Sequence, residues 1–203
     1  MTDGTPAAVV APSPSSASAK GYGGKPWFWW PWPLLVALDL WSKSAVFALL
    51  QERAAAAGQP NVPEAHRLPY LVFATDPLRL ELVSWGNTGT IWGLGQGSTV
   101  PLMVLRCGAV LGLLWFVRNL PRTARLQQLV LSLILAGALG NLFDNFTRAD
   151  RSVRDFLFFR GVWPTDWSFP AFNVADSCIT VGAIGLFLLL WRDDRKPKAP
   201  PVS

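Results

Sequence analysis

Apolar positions along the chain gather into four long runs, at residues 27–50, 100–117, 126–143 and 172–191. Each is about 18–24 residues long, enough to cross roughly 30 Å of hydrocarbon as a helix. The pattern predicts four membrane-spanning helices within one domain, residues 27–192. The segment between the first two runs, residues 51–99, is not all loop. Leu78-Arg79-Leu80-Glu81-Leu82-Val83 begins in strict alternation, the mark of a half-buried strand, and leads into Asn87-Thr88-Gly89. A small sheet lying on the membrane surface follows from it. The later connection, residues 145–171, is aromatic and is expected to lie along the interface. The expected fold is mainly α: a four-helix transmembrane bundle with a small outer-face β-sheet cradle and an interfacial segment.

Trp27-Phe28-Trp29-Trp30-Pro31-Trp32 suits the entry of the chain into the bilayer, where Trp concentrates. Residues 1–26, rich in Ala, Pro, Ser and Gly, cannot bury a core and are expected to form a disordered tail. They do not form a secretory signal, because the first basic residue is Lys20 and the apolar stretch starts only at Trp27. Ala54-Ala55-Ala56 mimics a small-residue cleavage site, but the long stretch before it carries Asp39 and Lys43. Residues 193–203 form a second, basic tail.

Composition sharpens this picture. Of 203 residues, 51 % are hydrophobic and only 15 % charged. An average soluble domain has roughly 25 % charged residues. The net charge of +5 is carried largely by residues flanking apolar runs, with no aromatic–basic pattern, which argues against nucleic acid. Lys20 and Lys25, then Arg118, Arg122 and Arg125, then Arg192, Arg195, Lys196 and Lys198 all fall on one predicted side. The positive-inside rule makes that side cytoplasmic, with both termini. Arg148, Arg151, Arg154 and Arg160 on the other side oppose this orientation. Two Cys, Cys107 and Cys178, and a lone His66 offer no metal-ligand spacing, which argues against zinc and Cys–His mechanisms. Both Cys suit small buried hydrophobes, and His66 an ordinary loop position.

Ionisable groups inside a spanning segment are costly and are functional candidates. Asp39 and Lys43 stand four residues apart on one helical face, either as a structural ion pair or as part of a site. Two segments repeat Asn-x-x-Asp: Asn141 to Asp144 at the end of the third run, and Asn173 to Asp176 at the start of the fourth. Both carboxylates then lie at one depth near the outer interface. Gly137 and Gly140, beside Ala136 and Ala138, permit close helix approach. Two facing carboxylates share one proton, the division of labour of an aspartic protease. The alternative is that Asp144 and Asp176 are separate helix-end residues, Asp176 favoured by the helix dipole.

These residues resemble the signal peptidase II family. The resemblance rests on Asp39-x-x-x-Lys43, on Asn87-Thr88-Gly89-Thr90-Ile91-Trp92, on Gly140-Asn141-x-x-Asp144, on Val153-Arg154-Asp155-Phe156 and on Phe172-Asn173-x-Ala175-Asp176, in order from about residue 30 to 192. It implies that Asp144 and Asp176 are the catalytic dyad and that no metal or organic cofactor takes part. Asp39, Lys43, Asn87, Gly89, Asn141, Asp155 and Asn173 map onto the polar residues around it. It implies cleavage of diacylglyceryl-modified prolipoproteins just before the lipid-modified Cys, in a bacterial inner membrane and near its outer face. Membrane lipid is the expected surrounding partner, and a monomer the expected state. Three departures stand out. Asn145 replaces an Arg, Thr90, Ile91 and Trp92 replace Ala, Ala and Phe, and the interval from Asp144 to Asp155 looks about two residues longer than usual for the family. Arg148 is expected to supply the missing guanidinium, with Arg106 the weaker candidate. The competing readings are an inactive relative that binds lipoprotein signal sequences, and a small proton-coupled carrier.

Overall fold

The computed structural model describes residues 21–75, 78–89, 99–161 and 167–194. Among them, four helical spans are long and apolar enough to cross a membrane. The first joins α1 (Pro26–Trp29) to α2 (Pro31–Ala56). The others are α3 (Thr99–Asn119), α4 (Arg125–Thr147) and α5 (Val174–Asp194). The chain is a multi-pass membrane protein, as the apolar runs predict.

α4 is the central helix: 61 % of its apolar window is buried, against 6 % for α3 and 22 % for the first and last spans. Small residues on α4 let its neighbours approach. A Cβ on Gly137 would run into the Ala175 carbonyl oxygen and lie 2.5 Å from Cγ1 of Ile179, so only glycine fits where α5 crosses. The apolar core is built on Phe28, Val117, Leu120, Val130, Leu131, Leu135 and Leu189. Leu34, Trp41, Leu105, Leu111 and Phe187 point outward, where acyl chains would surround them.

The sheet has four antiparallel strands in the order β1 (Tyr70–Thr75), β2 (Leu78–Asn87), β3 (Val153–Gly161) and β4 (Trp167–Ser168). The expected strand at residue 78 therefore runs on to Asn87. A register shift between Leu82 and Trp85 ends its strict alternation, and Val83 and Ser84 are both buried there. The connection expected only to lie along the interface instead supplies β3 and β4. Its aromatics pack within the sheet layer, with Phe158 against Trp85 at 4.8 Å and Phe159 stacked on Phe172 at 6.0 Å.

Several boundaries differ from expectation: α2 runs on to Ala56 and α4 to Thr147, past the ends of their apolar runs. Residues 21–26, expected to belong to a disordered tail, are ordered: Gly21 N–H donates to the Arg118 carbonyl, and the buried Lys25 ammonium donates to the carbonyls of Gly21, Val117 and Arg118. The Val117 and Arg118 carbonyls belong to the last turn of α3, which a cation satisfies well. The last span starts at Val174 rather than at residue 172, because Phe172 bridges to Leu157 of β3 and Asn173 caps the helix. The rest of the first tail, residues 1–20, and of the basic tail, residues 195–203, lie outside the described residues, as do Thr90, Ile91 and Trp92.

Candidate active site

The polar residues that interrupt the apolar spans meet at one place, where the end of α4 and the start of α5 face α2 and β3. Lys43 on α2 is fully buried and its ammonium lies 2.7 Å from Asp39 and 3.2 Å from Asp144, and donates to Oδ1 of Asn141 at 3.1 Å. The i, i+4 spacing thus yields a real pair, which reaches beyond its own helix. Oδ1 of Asp39 accepts the Ala175 N–H at 2.8 Å, in the first turn of α5. A carboxylate is favoured there by the unpaired amides and the helix dipole. Gly140 makes the room: a Cβ on it would sit 2.5 Å from Oδ2 of Asp39.

Asp144, fully buried, is held from two sides. Oδ1 accepts from the Arg154 guanidinium at 2.9 and 2.8 Å, and Oδ2 accepts the Arg154 backbone N–H at 3.0 Å beside the Lys43 ammonium. The guanidinium beside Asp144 is therefore Arg154, which the sequence did not single out. The expected supplier, Arg148, is the C-cap of α4 and turns away to Glu64 at 2.7 Å, Ser152 at 3.0 Å and Asp150 at 3.4 Å. That expectation is corrected by the end of the helix: α4 stops at Thr147, and Arg148 leaves in an extended conformation.

Asn173 and Asp176 form a reciprocal cap on α5. The Asp176 N–H donates to Oδ1 of Asn173 at 2.9 Å, and the Asn173 N–H donates to Oδ2 of Asp176 at 3.2 Å. The Asn173 side-chain amide faces away from this turn and donates to Oδ1 of Asp155 at 2.7 Å, with longer contacts to Asn141 and the Arg154 carbonyl. Oδ2 of Asp155 accepts from Asn87 at 3.0 Å, and Asn87 in turn accepts the Gly89 N–H at 2.9 Å. Asn141 completes the ring by donating to Asp176 at 2.8 Å.

The structure brings together every sequence candidate except Arg148, but pairs the carboxylates differently. Asp144 belongs to the cation cluster, whereas the carboxylate that shares Asn173 with Asp176 is Asp155. Burial pushes the Asp155 carboxyl up to about 7, and the neighbouring charge of Asp176 adds to it, against hydrogen bonds from Asn87 and Asn173. Asp176 is half-buried and opens onto an apolar groove of about 260 Å³ lined by Phe169, Phe172, Ser177, Thr180 and Val181.

Fold and site define a multi-pass membrane protein with carboxylates and carboxamides gathered between its helices and a surface sheet. The family model described as signal peptidase (SPase) II matches residues 33–192, and the chain belongs to that family of membrane peptidases. It is 32 % identical to the lipoprotein signal peptidase of Geobacillus thermodenitrificans over 154 residues, which cover 76 % of this chain and 82 % of that one. It is 31 % identical to the Bacillus subtilis lipoprotein signal peptidase over 117 residues, 58 % of this chain and 73 % of the relative. A bacterial membrane enzyme solved by the in meso method at 2.3 Å resolution shares the fold, with a TM-score of 0.60 and 23 % identity over 84 % of this chain and 91 % of that one.

Proposed function

We propose that this chain is an aspartic endopeptidase that removes the signal peptide from diacylglyceryl-modified prolipoproteins, cutting just before the lipid-modified Cys. The observation that carries this reading is the placement of Asp155 and Asp176 on the two sides of Asn173. Neighbouring carboxylates repel when both are ionised, so the pair shares one proton and titrates as a unit.

The charged member takes a proton from water as the water oxygen attacks the scissile carbonyl carbon. The neutral member hydrogen-bonds to the carbonyl oxygen and stabilises the charge that develops on it. Transfer of a proton to the amide nitrogen then breaks the C–N bond. The products are a signal peptide ending in a new carboxyl group and a lipid-modified Cys with a free amine. Asp39, Lys43, Asp144 and Arg154 support this chemistry by fixing Asn141 and the first turn of α5. The dyad thus moves from the expected Asp144–Asp176 pair to Asp155–Asp176, because both oxygens of Asp144 are occupied by cationic donors.

The apolar groove beside Asp176 suits a substrate presented from lipid. The relatives named lipoprotein signal peptidases point to the same substrate class. We place both termini in the cytoplasm and the site near the outer face. The basic residues that opposed this orientation are mostly neutralised, since Arg148 pairs with Glu64, Arg154 with Asp144 and Arg160 with Glu81.

The test is incubation of the purified chain in detergent with a diacylglyceryl-modified prolipoprotein and, separately, its unmodified precursor. Cleavage of the modified protein alone, with the modified Cys at the new amino terminus by mass spectrometry, is expected. Tight binding of the precursor without any cleavage would make the chain a signal-sequence-binding protein instead.

A further inference from the structure

Resting on that reading, we infer that Asn145 of α4 and Arg106 of α3 are positioning residues: together they hold a strained turn at Arg151, and that turn sets where β3 delivers Asp155. The inference starts from the backbone between α4 and β3. Among the described residues Arg151 is the one non-glycine residue with a positive φ, 55°. A side chain there costs energy, and such a conformation persists only where its surroundings enforce it. The Arg151 side chain is exposed, so its own packing does not enforce it. Its backbone is held at both ends. The N–H donates to the Arg148 carbonyl at 3.0 Å, and the carbonyl accepts from the Asn145 side-chain amide at 2.6 Å. Fully buried Ser152 comes next, then β3, with Arg154 on Asp144 and Asp155 between Asn87 and Asn173. Asp155 thus stands four residues beyond the held carbonyl.

Asn145 aims its amide at that carbonyl because its other side-chain atom is fixed as well. Its Oδ1 accepts from the Arg106 guanidinium at 2.6 Å, and the residue is buried. A guanidinium only donates and a carbonyl only accepts, so the carboxamide has one orientation in which both bonds form. Leu offers neither group, Asp lacks the donor, and the Arg of the resembled motif lacks the acceptor. The departure at position 145 is therefore what lets α3 take part. Arg106 is half-buried within α3, the least buried of the four spans, where a charge is costly and marks a functional contact. Among the described residues its hydrogen-bond partner is Asn145, so the guanidinium expected near Asp144 goes instead to the residue that follows it.

The test follows cleavage of a diacylglyceryl-modified prolipoprotein, and amide hydrogen exchange along β3, on the full chain in detergent. The variants are Arg106→Met, Asn145→Asp, Asn145→Leu, and Asn145→Leu combined with Arg151→Gly, each first shown to be folded by size exclusion. Asn145→Asp keeps the acceptor for Arg106 and loses only the bond to the Arg151 carbonyl, so it remains tied to α3. The three single variants are expected to lose about 10- to 10²-fold in kcat, as a catalytic group misplaced by about 1 Å does. KM stays near the parent's, because the turn does not line the groove beside Asp176. Glycine adopts a positive φ freely, so adding Arg151→Gly is expected to return about fivefold or more of the rate lost in Asn145→Leu. An Asn145 that merely packed would show no such rescue. A folded Asn145→Asp or Asn145→Leu with the parent's kcat overturns the inference, and so does a loss that Arg151→Gly does not relieve. The exchange readout needs no turnover: the amides of residues 153–157 are expected to exchange faster in each single variant, and exchange at the parent's rate in all three also overturns the inference. A parent that cuts nothing, while its variants show the faster exchange, refutes the proposed function and leaves the held turn standing.

Discussion

Asn173 and Asp176 cap one another across the first turn of α5, and the same Asn173 side chain carries its amide to Asp155 at 2.7 Å. One residue thus ends the extended segment, starts the helix and joins the two carboxylates. Replacing it with Ala removes an N-cap worth about 1 kcal/mol, a small effect on folding. It also frees Asp155, and misplacing a catalytic group by about 1 Å can cost about 10²-fold in rate. Asn173→Ala is therefore expected to lower the melting temperature slightly and the cleavage rate about 10²-fold, measured side by side in detergent.

Asp155 ties stability to pH. Its carboxyl is pushed up to about 7 in the folded chain, so between the ordinary carboxylate range and that value the folded state holds a proton that the unfolded state has lost. Folded-state proton excess means stability falls as pH rises through that window and levels off above it. Asp155→Asn cannot ionise. Thermal unfolding of the parent is expected to drop from about pH 4 to about pH 7 relative to this variant, and a constant difference between the two would contradict the raised value. The parent's kcat/KM is expected to decline on the alkaline side near the same value, as the shared proton is lost.

Lys43 is the cation common to Asp39 and Asp144. Lys43→Met leaves buried carboxylates without their partner, and breaking such a pair typically costs about 3–5 kcal/mol. The variant is expected to be poorly folded in detergent. The double change Asp39→Asn with Lys43→Met restores much of the loss, because the leftover charge is gone and Arg154 still holds Asp144. Size-exclusion profiles and melting temperatures separate the two.

Close approach of α4 and α5 rests on Gly137, where a Cβ meets the Ala175 carbonyl. Gly137→Ala is expected to push α5 outward, lowering stability by about 1–3 kcal/mol as overpacking does. Activity falls with it, since Asp176 rides on the displaced helix. Gly108→Ala on α3, with open space around it, is the matched control and is expected to change neither.

The spans were legible in the sequence because hydrocarbon imposes a long apolar run on each of them. The polar residues were legible too, since Asp39, Lys43, Asn141, Asp144, Asn173 and Asp176 stand out against that background. Their pairing was not. Asn141-x-x-Asp144 and Asn173-x-x-Asp176 look alike at equal spacing, yet the first lies inside α4 and the second caps α5 from outside it. Which carboxylate shares Asn173 with Asp176 depends on β3, and β3 is placed by pairing with β2, where Asn87 and Asp155 lie 68 residues apart. No local pattern encodes that. Arg154 was hidden for the same reason, as its contact with Asp144 exists only once the strand has returned beneath the end of α4.

The most direct measurement compares Asp155→Asn, Asp176→Asn and Asp144→Asn for cleavage of a diacylglyceryl-modified prolipoprotein, each variant first shown to be folded by size exclusion and thermal unfolding. The account predicts that Asp155→Asn and Asp176→Asn are folded and cut nothing, while Asp144→Asn is less stable but still cuts. A folded Asp155→Asn that cleaves at the parent's rate, beside a folded and inactive Asp144→Asn, would contradict it and return the dyad to Asp144 and Asp176.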